Sequence, residues 1–211
     1  MDDVDLALVL AFDCSASVTL GEFGLMASGC AAALRDPAVT AGLTGGPLGA
    51  SLCAVLLWSG PGAQEVLVDW TRLGDPAGMQ AFAQAVEDVP RIVPAGTTAI
   101  GEALAACMAL LHDKPAASRR QVVDMVGDGR SNAGLDPRPV RDLLVQEGVT
   151  INGLCVLHEE PDLLDSYTRE VIGGPGAFAL QCQDYQGFAE AMRQKLQREI
   201  AGTWDPRRRR S

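Results

Sequence analysis

The segment from residue 4 to residue 17 is an apolar run that ends abruptly on three oxygen-bearing side chains. Its mainly aliphatic part, Val4–Phe12, contains neither Gly nor Pro, which is typical of a strand buried on both faces of a parallel sheet. Asp13, Ser15 and Ser17 follow at alternate positions. They are therefore predicted at the carboxyl edge of the sheet, where open α/β folds place their ligands. One carboxylate and two hydroxyls suit a hard cation such as Mg²⁺, although Asp13 or Ser17 could instead cap the next helix.

Two later segments supply matching oxygen ligands. One is a Gly- and Thr-containing loop around Thr98 that opens a helix, and the other is an aliphatic strand that ends on Asp128 between two glycines. Those glycines let the backbone turn sharply and leave room beside the carboxylate. An Asp-x-Ser-x-Ser segment, a separate Thr and a separate Asp-Gly, in this order, resemble the von Willebrand factor A (VWA) family. That family builds its metal-ion-dependent adhesion site (MIDAS) from three such loops.

The resemblance implies a set of five metal ligands, namely Asp13, Ser15, Ser17, Thr98 and Asp128. Gly96 and Gly101 bracket Thr98 as the family's glycines do, which favours it over the neighbouring Thr97. The chain departs from the family pattern at Ala16, where Gly is usual, and at Gly127, where Thr is usual. Neither position supplies a side-chain ligand in the family, so the departures bear on loop geometry.

The strand and helix patterns predict an α/β fold. We expect a doubly wound, mostly parallel six-stranded sheet with one antiparallel edge strand and helices on both faces. Ser59–Gly62 leaves no room for a helix, so the strand after it should pair antiparallel. The predicted strands are Val4–Phe12, Ala50–Trp58, Glu65–Trp70, Gln121–Val126, Thr150–Leu157 and Ala177–Cys182. Apolar spacing of 3.6 residues predicts helices near residues 23–34, 76–86, 100–111, 140–147 and 188–200. The stretch Gly42–Gly49 is predicted to be a loop.

Composition limits the partner and the compartment. The chain has 211 residues and a net charge of −10, with 47% hydrophobic residues, which predicts one globular domain and argues against a basic nucleic-acid-binding face. The resemblance implies that this domain is VWA-like and covers residues 1–202. Residues 203–211 form an Arg-rich tail that we expect to be disordered. No apolar run of about eighteen residues is present, so no membrane span is predicted. The start lacks a signal peptide, which favours the cytoplasm, or an exported protein if Met1 replaces a removed leader.

The six cysteines are scattered and form no C-x-x-C pair, which argues against zinc ligation. Buried, reduced thiols are favoured over a disulfide, because free cysteine packs as a small apolar residue. The cysteines are Cys14, Cys30, Cys53, Cys107, Cys155 and Cys182.

The function that the VWA resemblance implies is metal-dependent protein binding. The bound Mg²⁺, or Mn²⁺, would keep one open position for an Asp or Glu of a protein partner. The alternative is a Mg²⁺-dependent, phosphatase-like hydrolase, because Asp13 and Asp128 both follow strands. These positions superficially resemble the haloacid dehalogenase pattern, in which Asp13 would be the nucleophile. In that pattern a second acid stands two residues after the nucleophile, where this chain has Ser15. His112 and His158 are expected to be surface or helix-end residues rather than catalytic bases.

A narrower resemblance comes from three other segments. Tyr167–Phe178, Thr150–Leu154 and Lys195–Ile200 are similar to segments of an uncharacterised bacterial branch of VWA-like proteins. Members of that branch are usually exported and have no assigned activity, so this resemblance bears on the fold more than on the biological role.

Overall fold

A ten-residue strand that ends on Asp13 lies near the middle of a six-stranded sheet. The computed structural model describes residues 2–201. Its strands are β1 (Val4–Asp13), β2 (Ser51–Trp58), β3 (Gln64–Leu73), β4 (Ser118–Gly127), β5 (Thr150–Val156) and β6 (Ala179–Cys182). Its helices are α1 (Leu20–Leu34), α2 (Pro37–Thr44), α3 (Pro76–Glu87), α4 (Ile100–His112), α5 (Pro137–Gln146), α6 (Leu163–Glu170) and α7 (Phe188–Ala201).

The strand order, β3-β2-β1-β4-β5-β6, is that of a doubly wound sheet. Strand β1 pairs in parallel with both β2 and β4, and β3 alone is antiparallel, at the edge beside β2. The chain winds outwards from β1 through β2 to β3 and then starts again at β4. The carboxyl ends of β1 and β4 therefore form the switch point at which doubly wound sheets bind ligands.

Side chains of β1 alternate between two cores. Leu8 and Leu10 pack on one face with residues of α1 and α7, whereas Val9 and Ala11 pack on the other face with residues of α4 and α5. All of these β1 side chains are buried. Two covered faces explain why the sequence of this strand is continuously apolar instead of alternating.

The predicted doubly wound fold with one antiparallel edge strand is confirmed. Two helices were not predicted, α2 and α6. The prediction that Gly42–Gly49 is a loop is wrong at its start, because α2 continues to Thr44. Asp36 caps α2 and Pro37 occupies its first turn, and Gly42 lies so close to Ile200 that a Cβ would collide with it. Packing thus keeps a glycine inside a helix, against its propensity.

The remaining expectations concern cysteines, membranes and the tail. The six cysteines are free and buried in the structure, in agreement with their predicted packing. No helix within residues 2–201 has the length and apolar character needed to cross a bilayer. The predicted Arg-rich tail, 203–211, lies outside the described residues.

Candidate metal centre

The first site loop leaves β1 at Asp13 and is held by backbone hydrogen bonds. The Cys14 N–H donates to the Trp58 carbonyl at 2.7 Å, and the Ala16 N–H donates to the Gly96 carbonyl at 2.9 Å. The N–H of Ser15 donates to Oδ1 of Asp13 at 2.7 Å. No non-glycine residue in the described chain has a positive φ, so this loop does not need the family's glycine at Ala16.

The third loop meets the first through a side-chain hydrogen bond. The Ser17 hydroxyl donates to Oδ1 of Asp128 at 2.6 Å, although the two residues are 111 positions apart. The Ser15 and Ser17 hydroxyl oxygens are 3.1 Å apart. Asp128 directly follows Gly127, the last residue of β4. Four of the five predicted ligands thus form one connected group at the switch point.

The second loop places Thr98 beside the third loop. Thr98 is buried, and its hydroxyl oxygen lies 3.7 Å from the point that a Cβ on Gly129 would occupy. Thr97 is exposed, and its hydroxyl oxygen instead lies 2.9 Å from the Cβ position of Gly60. This geometry favours Thr98 over Thr97 as the threonine whose hydroxyl faces the third loop.

Asn132, which the sequence did not single out, holds the second loop. Its side-chain oxygen accepts the Thr98 N–H at 2.9 Å, and its own N–H donates to the Thr98 carbonyl at 2.9 Å. This two-point clamp ties the second loop to the third. It therefore sets the position of the Thr98 side chain relative to Asp128.

The alternative role of Asp13 or Ser17 as a helix cap is wrong. Helix α1 is capped by Thr19, whose hydroxyl accepts the Glu22 N–H while the Glu22 carboxylate accepts the Thr19 N–H. This reciprocal pair is a complete capping box. Helix α4 has Ala99 at its N-cap and no side-chain cap. The Asp13 and Ser17 side chains are therefore not needed for helix capping.

The two carboxylates are buried and incompletely satisfied. Asp13 and Asp128 are both 0% exposed, and Oδ2 of each has no hydrogen-bond partner. Burial and the neighbouring Asp128 charge raise the pKa of Asp13 to about 7, and burial also raises the pKa of Asp128. Two nearby buried negative charges are costly in the absence of a compensating cation. The site therefore has the electrostatics of a cation-binding site.

The ligand atoms of the candidate site favour hard cations over soft ones. Within residues 2–201, no cluster of three or more His, Cys, Asp or Glu side chains is arranged to hold a metal. The candidate site offers two carboxylates and three hydroxyls, all of them oxygen ligands. Hard oxygen ligands suit Mg²⁺ or Mn²⁺ and give little preference to a soft metal.

Comparison with known families decides the classification. A family model described as a protein of unknown function, DUF1194, matches residues 3–204. The chain belongs to the DUF1194 family. Its fold is that of a VWA-like domain. No curated protein matches the chain.

Solved structures show the same fold at low sequence identity. Proximal thread matrix protein 1 from the mussel byssus has a TM-score of 0.67 and 18% identity, over 93% of this chain and 46% of the mussel chain. The vWF domain of the type V pili tip protein Mfa5 from Porphyromonas gingivalis has a TM-score of 0.61 and 11% identity, over 96% of this chain and 97% of the Mfa5 chain. This chain thus spans less than half the length of the matrix protein. Another structure of that matrix protein has a zinc-occupied MIDAS motif.

A tyrosine lies behind the carboxylates of this VWA-like domain. Tyr167 of α6 is fully buried, and its hydroxyl has no hydrogen-bond partner. Its hydroxyl lies 2.5 Å from the Cβ position of Gly127, and its ring lies 2.9 Å from that of Gly153. Sequence analysis did not identify Tyr167 as a site residue. The available signal was glycine at two strand positions, which marks the close approach of another group.

The outer rim of the site carries several ion pairs. Arg130 contacts Glu160, at 2.8 Å between Nε and Oε2, and also Asp162. His158 lies 3.4 Å from Glu22. The Arg91 guanidinium donates to the carbonyls of Cys14 and Ser15 at 3.0 and 3.1 Å. These contacts link the connections that follow β1, β4 and β5 with one another, with α1 and with the connection that precedes α4.

Proposed function

We propose that this VWA-like domain is a divalent-metal-dependent protein-binding module. Its Mg²⁺ or Mn²⁺ is held by Asp13, Ser15, Ser17, Thr98 and Asp128, and accepts an acidic side chain of a partner. The observation that carries the proposal is two buried acids that are linked through Ser15 and Ser17, each with one unpartnered carboxylate oxygen. The VWA fold and the zinc-occupied MIDAS motif of a mussel protein support it.

The charge of the ligand set explains why an anion would bind. Asp13 and Asp128 bring two negative charges to a divalent ion, and the three hydroxyl ligands add none. The ion and its ligands together are therefore neutral, which leaves the ion able to attract one further anionic oxygen. The net charge of −10 opposes an acidic partner at long range, but salt screens this repulsion beyond about 8 Å. Attraction to the ion therefore dominates at contact.

The surface around the site favours a protein as the ligand. Three large apolar side chains are exposed near the ligands: Leu20 (72%) at the start of α1, and Ile92 (59%) and Leu135 (52%) on the connections that carry Thr98 and Asp128. Ile92 adjoins Arg91, which contacts the first loop, and Leu135 packs on Gly101 at the start of α4. Exposed apolar groups beside polar ones are typical of protein-interaction sites.

The hydrolase alternative lacks its acid and its base. Ser15 stands where the second acid is needed, and its hydroxyl lies against Ser17. His158 lies near Glu22 and Glu159 on the rim, and His112 contacts Glu147 at the end of α5. We therefore propose a binding function and no catalytic one.

Calorimetry tests the metal site directly. The wild-type chain should bind Mg²⁺ or Mn²⁺, and Asp13→Ala should abolish binding, because it removes one of only two charges that face the ion. Asp69→Ala, which removes an exposed carboxylate on β3, is the matched control and should bind like the wild type. Unchanged affinity in Asp13→Ala would show that the site is assigned to the wrong residues.

A pull-down in Mg²⁺ or in chelator tests the binding function. The retained partner should be lost in chelator and should return when Mg²⁺ is added. The adhesion-site mechanism is wrong for this protein if partner binding ignores both the chelator and the Asp128→Ala substitution.

A further inference from the structure

A tyrosine of the covering helix fills the space beside two glycines, one at the end of β4 and one within β5. Gly127 and Met125 are two residues apart and point to the same face, and Gly153 of β5 pairs with Met125. Both glycines therefore lie on the face that α6 covers. A Cβ on Gly153 would lie 2.9 Å from the Tyr167 ring, and one on Gly127 would lie 2.5 Å from its hydroxyl. The phenol thus occupies the volume of two missing side chains.

The same space opens onto the Asp13 carboxylate. The Cβ position of Gly127 is 3.1 Å from Oδ2 of Asp13, as well as 2.5 Å from the Tyr167 hydroxyl. Oδ1 of Asp13 is already bonded to the Ser15 N–H, whereas Oδ2 and the Tyr167 hydroxyl both lack partners. A buried phenol donor and a buried carboxylate acceptor thus face one small volume, and each lacks a bond that burial makes costly to lose.

We propose that Tyr167 is a positioning residue for the metal site. In this inference, which rests on the proposed metal-binding function, its hydroxyl lies across the Gly127 space from Oδ2 of Asp13 and keeps the carboxylate oriented toward the cation. Groups behind a metal ligand commonly act in this way, and their loss lowers metal affinity about 10–100-fold. The glycines at 127 and 153 are the sequence requirement of this arrangement, since any side chain there would displace the phenol.

The Mg²⁺ affinities of Tyr167→Phe, of Gly127→Ser and of the variant that combines them test this role. Tyr167→Phe keeps the ring and should weaken Mg²⁺ binding at least about tenfold. Gly127→Ser alone should lower both stability and affinity, because its Cβ meets the phenol hydroxyl. The double variant combines Tyr167→Phe with Gly127→Ser. It lacks the phenol oxygen that the serine Cβ would meet at 2.5 Å, and the serine hydroxyl stands within reach of Oδ2 of Asp13, which lies 3.1 Å from that Cβ position. The double variant should therefore bind Mg²⁺ more tightly than either single variant.

A control separates positioning from a general loss of stability. Ser51 is buried at the opposite end of the sheet, and its hydroxyl donates to the Leu43 carbonyl at 2.6 Å. Ser51→Ala should lower the unfolding midpoint measured in chelator and leave Mg²⁺ affinity unchanged. This difference shows whether metal affinity follows the site or merely the stability of the fold.

The outcomes distinguish this inference from the proposed function. If the wild type binds neither Mg²⁺ nor Mn²⁺ in calorimetry, the proposed function and this inference both fail. If the wild type binds and Tyr167→Phe binds equally well, only the positioning role is overturned. The same conclusion follows if the double variant binds no better than Tyr167→Phe. Recovery of affinity in the double variant supports the role, because a purely structural effect of the phenol would not be restored by a hydroxyl on β4.

Discussion

A buried ion cluster beneath α7 gives the sharpest prediction of stability. Lys195 of α7 forms an ion pair with Asp124 of β4, and its Nζ is 3.6 Å from Oε2 of Glu199. Lys195 and Asp124 are 0% exposed and Glu199 is 1% exposed. The Asn152 side chain donates to Oε1 of Glu199 at 2.5 Å. One cation thus lies between two buried acids in the core that α7 covers.

Replacing Lys195 by Met removes the cation while keeping a long apolar side chain. Removing one partner of a buried ion pair leaves the other charge uncompensated and costs about 3–5 kcal/mol. At about 2–4 °C per kcal/mol for a chain of this size, the melting temperature should fall by roughly 6–20 °C. Urea unfolding in chelator measures the free energy without any contribution from bound metal.

Two further variants make the reasoning refutable. Arg193→Met on the same helix breaks only the surface pair with Glu190 and should cost no more than about 1 kcal/mol. Asp124→Leu combined with Lys195→Met replaces the ion pair by apolar groups and should recover most of the loss. A cost below about 1 kcal/mol for Lys195→Met, or no recovery in the double variant, would refute the view that the uncompensated charge dominates.

Three other measurements follow from the structure. Thr98→Ala should weaken Mg²⁺ binding far more than Thr97→Ala, because only Thr98 is buried beside the third loop; equal effects in calorimetry would mean that the wrong threonine is assigned. Thiol counting should find six reactive groups only after denaturation, since all six cysteines are buried, and fewer than six would indicate a disulfide. Burial raises the pKa of Glu199 from 4.5 to about 8, so the folded state binds the extra proton, and the free energy of unfolding falls as pH rises through that interval. Glu199→Gln should make this fall shallower in urea titrations between pH 5 and pH 8, and an unchanged slope would contradict the raised pKa.

Local signals account for most of what the sequence predicted. The apolar run of β1 and the oxygen-bearing residues after it predicted the strand and the first loop correctly. A strand that is buried on both faces is continuously apolar, and this pattern is visible in the local sequence. The alternation of strands and helices, with the short Ser59–Gly62 link, was sufficient for the sheet and its antiparallel edge. Helix α6 was missed because it has only eight residues and no side-chain cap.

Contacts between distant segments could not be predicted from the sequence alone. The Asn132 clamp on Thr98 joins residues 34 positions apart, and nothing in the local pattern of either loop requires it. Likewise, Gly127 was noted only as a departure from the family pattern. Its reason lies on α6, where Tyr167 fills the space beside it, and only the folded chain brings those two elements together.

The two edge strands of the sheet, β3 and β6, are both unsuited to pairing with a strand of another molecule. Strand β6 has only four residues. Strand β3 is longer, but its pairing with β2 shifts register twice, and it exposes Glu65 and Asp69. Short, irregular and charged edges are poor templates for the addition of a strand from another molecule. Backbone pairing along either side is therefore disfavoured, which protects the domain from edge-to-edge aggregation and agrees with the proposed recognition through side chains and an ion at the end of the sheet.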